Sequence, residues 1–158
     1  HLIDKQYSMD IDTMEDFNKL KEFINEANVH KIWNLLQKYD IKLALELDMP
    51  VAGVVEAIKC IDSNLIGICL DSGNLWHYSD SPINDIRALS DKIIHVHIKD
   101  RDVEGGNVLL GDGLVDFYAL SKALKSIAYS GVMTLETKYF KDPPNEAKKN
   151  LRYISEIV

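Results

Sequence analysis

Four apolar, strand-like runs recur along this chain, and a helical stretch follows each of them. The runs are "IKLALEL" at roughly 41 to 47, "LIGICLD" at 65 to 71, "KIIHVHIKD" at 92 to 100 and "GVMTLETK" at 131 to 138, all rich in residues that suit a buried, pleated surface. Strands that alternate with helices of about ten residues or more pair in parallel through right-handed crossovers. The chain is therefore α/β in class. Alternation alone fits both a doubly wound sheet and a (β/α) barrel.

The helical stretches carry their own start signals. Thr13 with Asp16 resembles a capping pair, and Phe17, Leu20, Ile24 and Ala27, then Ile32, Leu35, Leu36 and Tyr39, keep helical spacing with a change of phase near Asn28. "PVAGVVEAIKCI" predicts a second helix, and "SPINDIRALSDK" a third with Ser81 as cap and Pro82 in the first turn. "VDFYALSKALKSIAY" and "PPNEAKKNLRYISEIV" supply two more. With 158 residues, 46% of them hydrophobic, and no linker, the expectation is a single domain over 1–158.

Composition removes several function classes. A formal charge of −7 without a cluster of basic residues disfavours nucleic acid as a partner. No run approaches the ~18 apolar residues of a membrane span. Cys60 and Cys69 show no CxxC and no His at metal spacing, so they read as reduced core thiols of a cytoplasmic protein.

Successive strand side chains point to opposite faces, so each run divides into two sets. Leu43, Leu45 and Leu47 oppose Lys42, Ala44, Glu46 and Asp48, and Ile66, Ile68 and Leu70 oppose Gly67, Cys69 and Asp71. In the third run the isoleucines and Val96 oppose His95, His97 and Lys99; in the fourth Met133 and Leu135 oppose Val132, Thr134, Glu136 and Lys138. The greasy sets belong under helices and the others face a shared interior. Near the C-terminal strand ends, where parallel α/β folds build their sites, the runs deliver Glu46, Asp71, His97 and Glu136, one each. Three carboxylates and an imidazole brought together repel unless protons or a cation hold them. One divalent ion is the simplest answer, and an oxygen-rich set with one nitrogen suits Mn(II), Mg(II), Co(II) or Zn(II).

At these residues the chain resembles the sugar phosphate isomerase/epimerase group of the xylose isomerase-like barrels. The resemblance rests on "LALE", "GICLDSGN", "IIHVHIKD", "LLGDGLVDF", "SGVMTLE" and "DPPNEAKKNLRYI", in the family's order, from about residue 30 onward. It implies a (β/α)8 TIM-barrel type of fold, with the metal on Glu46, Asp71, His97 and Glu136. It also implies that the catalytic pair is Glu46 and Glu136, moving a proton at the carbon beside a carbonyl of a sugar or sugar phosphate. Asn74 stands where many relatives carry His and is expected to meet a sugar hydroxyl; Lys99 and Arg101 are further substrate-binding candidates. Trp76 and His77 are candidates for a pocket wall, and the "GDG" at 111 to 113 for a turn near its mouth. His95, one pleat deeper than His97, is expected to be a hydrogen-bonded core residue.

The length departs from the family. A complete barrel takes about 250 residues, whereas four strand-like runs are found here, corresponding to the C-terminal half. The expectation is that the first half lies upstream of His1 and that the 158-residue chain alone is inactive. Such a half would pair with itself as a homo-oligomer or with a missing N-terminal half-barrel, because its outer strands have open edges. Alternatives are an inosose-type dehydratase, which begins with the same proton abstraction, and a non-catalytic half-barrel assembly module. An abasic-site endonuclease is disfavoured by the net negative charge and by the lack of an Asp-x-His between "HIKD" and "GDG".

Overall fold

The computed structural model describes Glu15 and residues 28–46, 48–59, 64–137 and 142–157. Apart from Glu15, the helix expected from Thr13 to Ala27 lies outside the described residues, as do Leu47, Cys60 and Lys138. Helix α1 spans Asn28–Tyr39, strand β1 Leu43–Glu46, α2 Val51–Lys59, β2 Ile66–Asp71, α3 Ser72–Tyr78 and α4 Pro82–Leu89. A 3-10 turn, Ser90–Lys92, leads into β3, Ile93–Ile98; then come β4 at Asp100–Arg101, β5 at Asn107–Val108, α5 at Phe117–Ser126, β6 at Met133–Leu135 and α6 at Pro143–Ser155.

The four expected strands form one sheet in the order β1-β2-β3-β6, and every pairing in it is parallel. Its greasy face carries Ile68, Leu70, Ile93, Val96 and Ile98, and these join Ile86 and Leu89 of α4 and Leu120, Ala123 and Leu124 of α5 in one buried cluster. Asp116 caps α5 by accepting from the Ala119 amide at 2.9 Å, and Asp142 caps α6 through Asn145. Ser81 does stand at the N-cap of α4, but its hydroxyl makes no capping bond to the backbone; it accepts from the Asn84 side chain at 2.8 Å instead.

One strand departs from simple alternation. Ile68 pairs with Ile93 but Cys69 pairs with His95, so β3 carries an extra residue, Ile94, at a bulge. Ile94 therefore leaves the greasy set to which alternation assigns it. Its branched carbons lie 2.7 and 2.9 Å from where a Cβ on residue 67 would sit, on the polar side, and only a glycine there leaves room for them. Two further elements have no counterpart in the sequence reading: α3, which begins directly after β2, and the antiparallel β4–β5 pair, Asp100 with Val108 and Arg101 with Asn107. Among the described residues no helix is long and apolar enough to cross a membrane.

Candidate metal centre

Glu46, Asp71, His97 and Glu136 converge, each offering one ligand atom within 4.8 Å of the others. The ladder alone does not make them level. Asp71 is the register partner of His97, whereas Glu46 pairs with Cys69 and Thr134 pairs with His97, so Glu46 lies one pleat short and Glu136 one pleat beyond. Strand tilt in a barrel-type sheet offsets that stagger and brings the side chains to one place. The Glu136 amide still donates to the Ile98 carbonyl at 3.0 Å, which extends the ladder past β6 and fixes where its side chain leaves the sheet.

At the centre is one ring nitrogen. His97 Nδ1 lies 2.7 Å from Glu136 Oε2 and 3.2 Å from Glu46 Oε2, yet it is a buried atom that makes no hydrogen bond. Asp71 Oδ2 is likewise buried and not hydrogen-bonded, while its Oδ1 accepts the Asn74 amide at 2.7 Å and caps α3. An imidazole nitrogen and a carboxylate oxygen, both buried without a hydrogen bond in a cluster with two further carboxylates, are a donor set that a divalent cation would satisfy. The four side chains therefore fit a divalent ion.

Lys99 enters this cluster. Its ammonium is 2.7 Å from Glu136 Oε1 and 3.6 Å from Asp71 Oδ2, and the residue is 7% exposed, so it is not a solvated strand-end charge. Burial alone would pull its pKa down; the hydrogen bond to Glu136 and the charges of Asp71 and Glu136 turn the net shift upward. Asp71 goes up to about 6, chiefly because burial disfavours its charge, with Glu136 and Glu46 adding to the rise and the Asn74 amide and Lys99 opposing it. With all groups ionised, three carboxylates and one ammonium leave a balance that a divalent ion neutralises.

The other candidates fall in distinct places. Asn74 is buried with Oδ1 unpaired, an acceptor still available to a ligand. Arg101 Nη2 meets Asp48 Oδ2 at 3.2 Å, leaving Arg101 Nε and Asp48 Oδ1 buried without hydrogen bonds. Trp76 packs against the hydrophobic cluster from α3, and His77 on the same helix lies beside Gly105. The "GDG" turn is tied inward: the amides of Gly111, Gly113 and Val115 all donate to the wholly buried Asp100, at 2.9 to 3.1 Å. His95 is hydrogen-bonded as expected, to Thr134 Oγ1 at 2.9 Å, but it is half-buried and not a core residue.

Two features escaped sequence reasoning. Asp48 was visible only as a member of Glu46's face, and its partner Arg101 comes from a hairpin that the sequence did not announce. Cys69, read as having no His at metal spacing, is brought by strand pairing to lie with His95 and His97, their ligand atoms within 4.8 Å. Burial pushes the Cys69 thiol up to about 12, and the charges of Glu46, Asp71 and Glu136 add to that.

A parallel sheet with helices between its strands and a site at the strand ends is common to doubly wound sheets and β/α barrels, and the family match decides for the barrel. The chain belongs to the xylose isomerase-like TIM barrel family, which it matches over residues 11–157. It is 31% identical over 147 residues to an uncharacterized protein of Methanocaldococcus jannaschii, covering 85% of this chain and 49% of that one. It is 32% identical over 100 residues to a 3-oxo-isoapionate decarboxylase of Pectobacterium atrosepticum, covering 56% of this chain and 36% of the relative. An inosose dehydratase of Clostridium botulinum is 27% identical over 160 residues, with 88% of this chain and 51% of the relative covered. Among solved structures, a D-tagatose 3-epimerase-like protein superposes with a TM-score of 0.63 at 27% identity, over 89% of this chain and 55% of that one. The chain thus spans about half the length of relatives that it matches nearly end to end.

Proposed function

We propose that this chain supplies the metal-holding half of an isomerase or epimerase that acts on a sugar or sugar phosphate by proton transfer beside a carbonyl. The observation that carries the reading is the pair of carboxylates, Glu46 and Glu136, both within 3.2 Å of His97 Nδ1, a buried atom without a hydrogen bond. Glu46, Asp71, His97 and Glu136 would hold a divalent ion, which would supply positive charge beside the carbonyl and so lower the cost of removing the neighbouring proton. One glutamate takes that proton on one face and the other returns one on the opposite face, or to the neighbouring carbon. Asn74 Oδ1 and Arg101 Nε, two of the buried polar atoms without a hydrogen bond, are assigned to sugar hydroxyls in this reading. Lys99 holds Glu136 in place and lowers the repulsion between the carboxylates.

The test is proton exchange in the natural protein that carries this sequence, loaded with Mn(II) and given ketopentoses, ketohexoses and their phosphates in D2O. Deuterium enters at the carbon beside the carbonyl, and Glu46→Gln or Glu136→Gln slows its entry about 100-fold or more. Entry that is unaffected by either substitution sinks the reading. A second reading, an inosose-type dehydratase, is favoured by the relatives of that name. It begins with the same abstraction and then expels the neighbouring hydroxyl as water, so an unsaturated ketone absorbing in the ultraviolet would distinguish it.

A further inference from the structure

We propose that Cys69, His95 and His97 form a second metal site, suited to thiophilic ions such as Zn(II) or Cd(II), which competes with the oxygen-rich site for the His97 imidazole. Cys69 and His95 are register partners on adjoining strands and face the same side of the sheet, and His97 stands one pleat further along. The two imidazoles meet edge to face with centroids 5.3 Å apart. With His95 Nε2 held by the Thr134 hydroxyl, Nδ1 is the nitrogen left for a metal, and that hydrogen bond orients the ring as an outer partner of a metal ligand does.

The geometry is close to a zinc triad. Tetrahedral zinc with bonds of about 2.0–2.3 Å separates its ligands by about 3.5 Å, and the three ligand atoms lie within 4.8 Å of one another. One sulfur with two imidazoles selects soft or borderline ions over Mg(II) or Mn(II), while the neighbouring set of three carboxylates and one imidazole accepts those harder ions as well. A neutral imidazole has one lone pair, so His97 serves one ion at a time. Binding at the thiol site releases the Cys69 proton to solvent, leaves thiolate on the metal and takes the nitrogen from the other set. The inference does not depend on which reaction the oxygen-rich site carries out.

The experiment uses the natural protein stripped of metal. Cd(II) is added while thiolate-to-cadmium absorption is followed in the ultraviolet, then Mn(II) is titrated and its free form counted by paramagnetic resonance. Expected are an absorption band saturating at one Cd(II) per chain and a Mn(II) affinity weakened tenfold or more by that Cd(II). Cys69→Ala should lose the band and bind Mn(II) as the cadmium-free protein does. His95→Gln, a milder change at a half-buried position, should weaken Cd(II) binding tenfold and leave Mn(II) binding intact. A band that survives Cys69→Ala, Cd(II) affinity indifferent to His95→Gln, or Mn(II) binding indifferent to Cd(II) would each overturn the proposal. Failure of every form to bind Mn(II), with the cadmium band present, would remove the oxygen-rich site and the competition with it.

Discussion

Asp71 divides two tasks between its two oxygens. Oδ1 caps α3 through the Asn74 amide, while Oδ2 is buried without a hydrogen bond beside the Lys99 ammonium. Its pKa, raised from 3.8 to about 6, means that the native chain holds this proton more tightly than the unfolded chain does. Stability from this group is therefore fully present below the unfolded value and is lost as pH rises through the folded one. At about 1.4 kcal/mol per pH unit the loss is roughly 3 kcal/mol for the metal-free chain between about pH 4 and pH 7. A bound cation reverses the sign at neutral pH, because it needs the ionised form. Asp71→Asn keeps an oxygen for the cap and removes the charge. Urea unfolding of that variant should show a flatter pH dependence without metal and no midpoint increase on adding Mn(II). A midpoint that still climbs with Mn(II) would take Asp71 out of the ligand set.

The element after β3 is organised around a different carboxylate. Asp100 is 0% exposed and accepts three amides from residues 111 to 115, while the Leu114 amide donates to the Arg101 carbonyl at 2.8 Å. The loop therefore folds back over the strand ends that hold Lys99 and Arg101. Gly113 is required here: a Cβ would land on Asp100 Oδ1 and 2.5 Å from the Arg101 carbonyl. Asp100→Asn turns a carboxamide NH2, itself a donor, toward amide donors and should cost about 3 kcal/mol, since several charge-assisted bonds weaken together. Gly113→Ala should destabilise the same loop, and hydrogen exchange at Gly111, Gly113 and Val115 should quicken in both variants. Protection that is unchanged would show that the loop is held by other means. This arrangement also marks what a reader of the sequence can and cannot see. Period-2 alternation is a property of each strand by itself, so Glu46, Asp71, His97 and Glu136 could be assigned to one face before any pairing was known. The Ile94 bulge, the Cys69–His95 contact and the Asp48–Arg101 pair depend on which residues stand side by side, and register is decided between strands. Helix α3 was hidden for a local reason: it opens with Asp71, Ser72, Gly73 and Asn74, residues that signal a turn as readily as a cap.

At the scale of the whole molecule, the sheet order puts β1 and β6 at its two margins, and neither has a second partner among the described residues. Both margins are greasy. Ile41 and Leu43 on one side are 52% and 36% exposed, and Val132 and Met133 on the other are 68% and 37% exposed. A parallel sheet in this architecture closes into a barrel, which leaves no edges, whereas an open edge with apolar neighbours invites another strand. The family relationship gives the size of what fits, because relatives matched along most of this chain are about twice its length. We therefore expect the 158-residue chain by itself to self-associate, with a light-scattering mass at micromolar concentration of a dimer or larger. Lysines at Leu43 and Val132 place charge on both margins, the device natural edge strands use against pairing. The doubly substituted chain should scatter as a monomer while its circular dichroism keeps the helical signal. A wild-type chain that stays monomeric over the same concentrations would mean that its edges are already covered, and the half-barrel view of this chain would have to be abandoned.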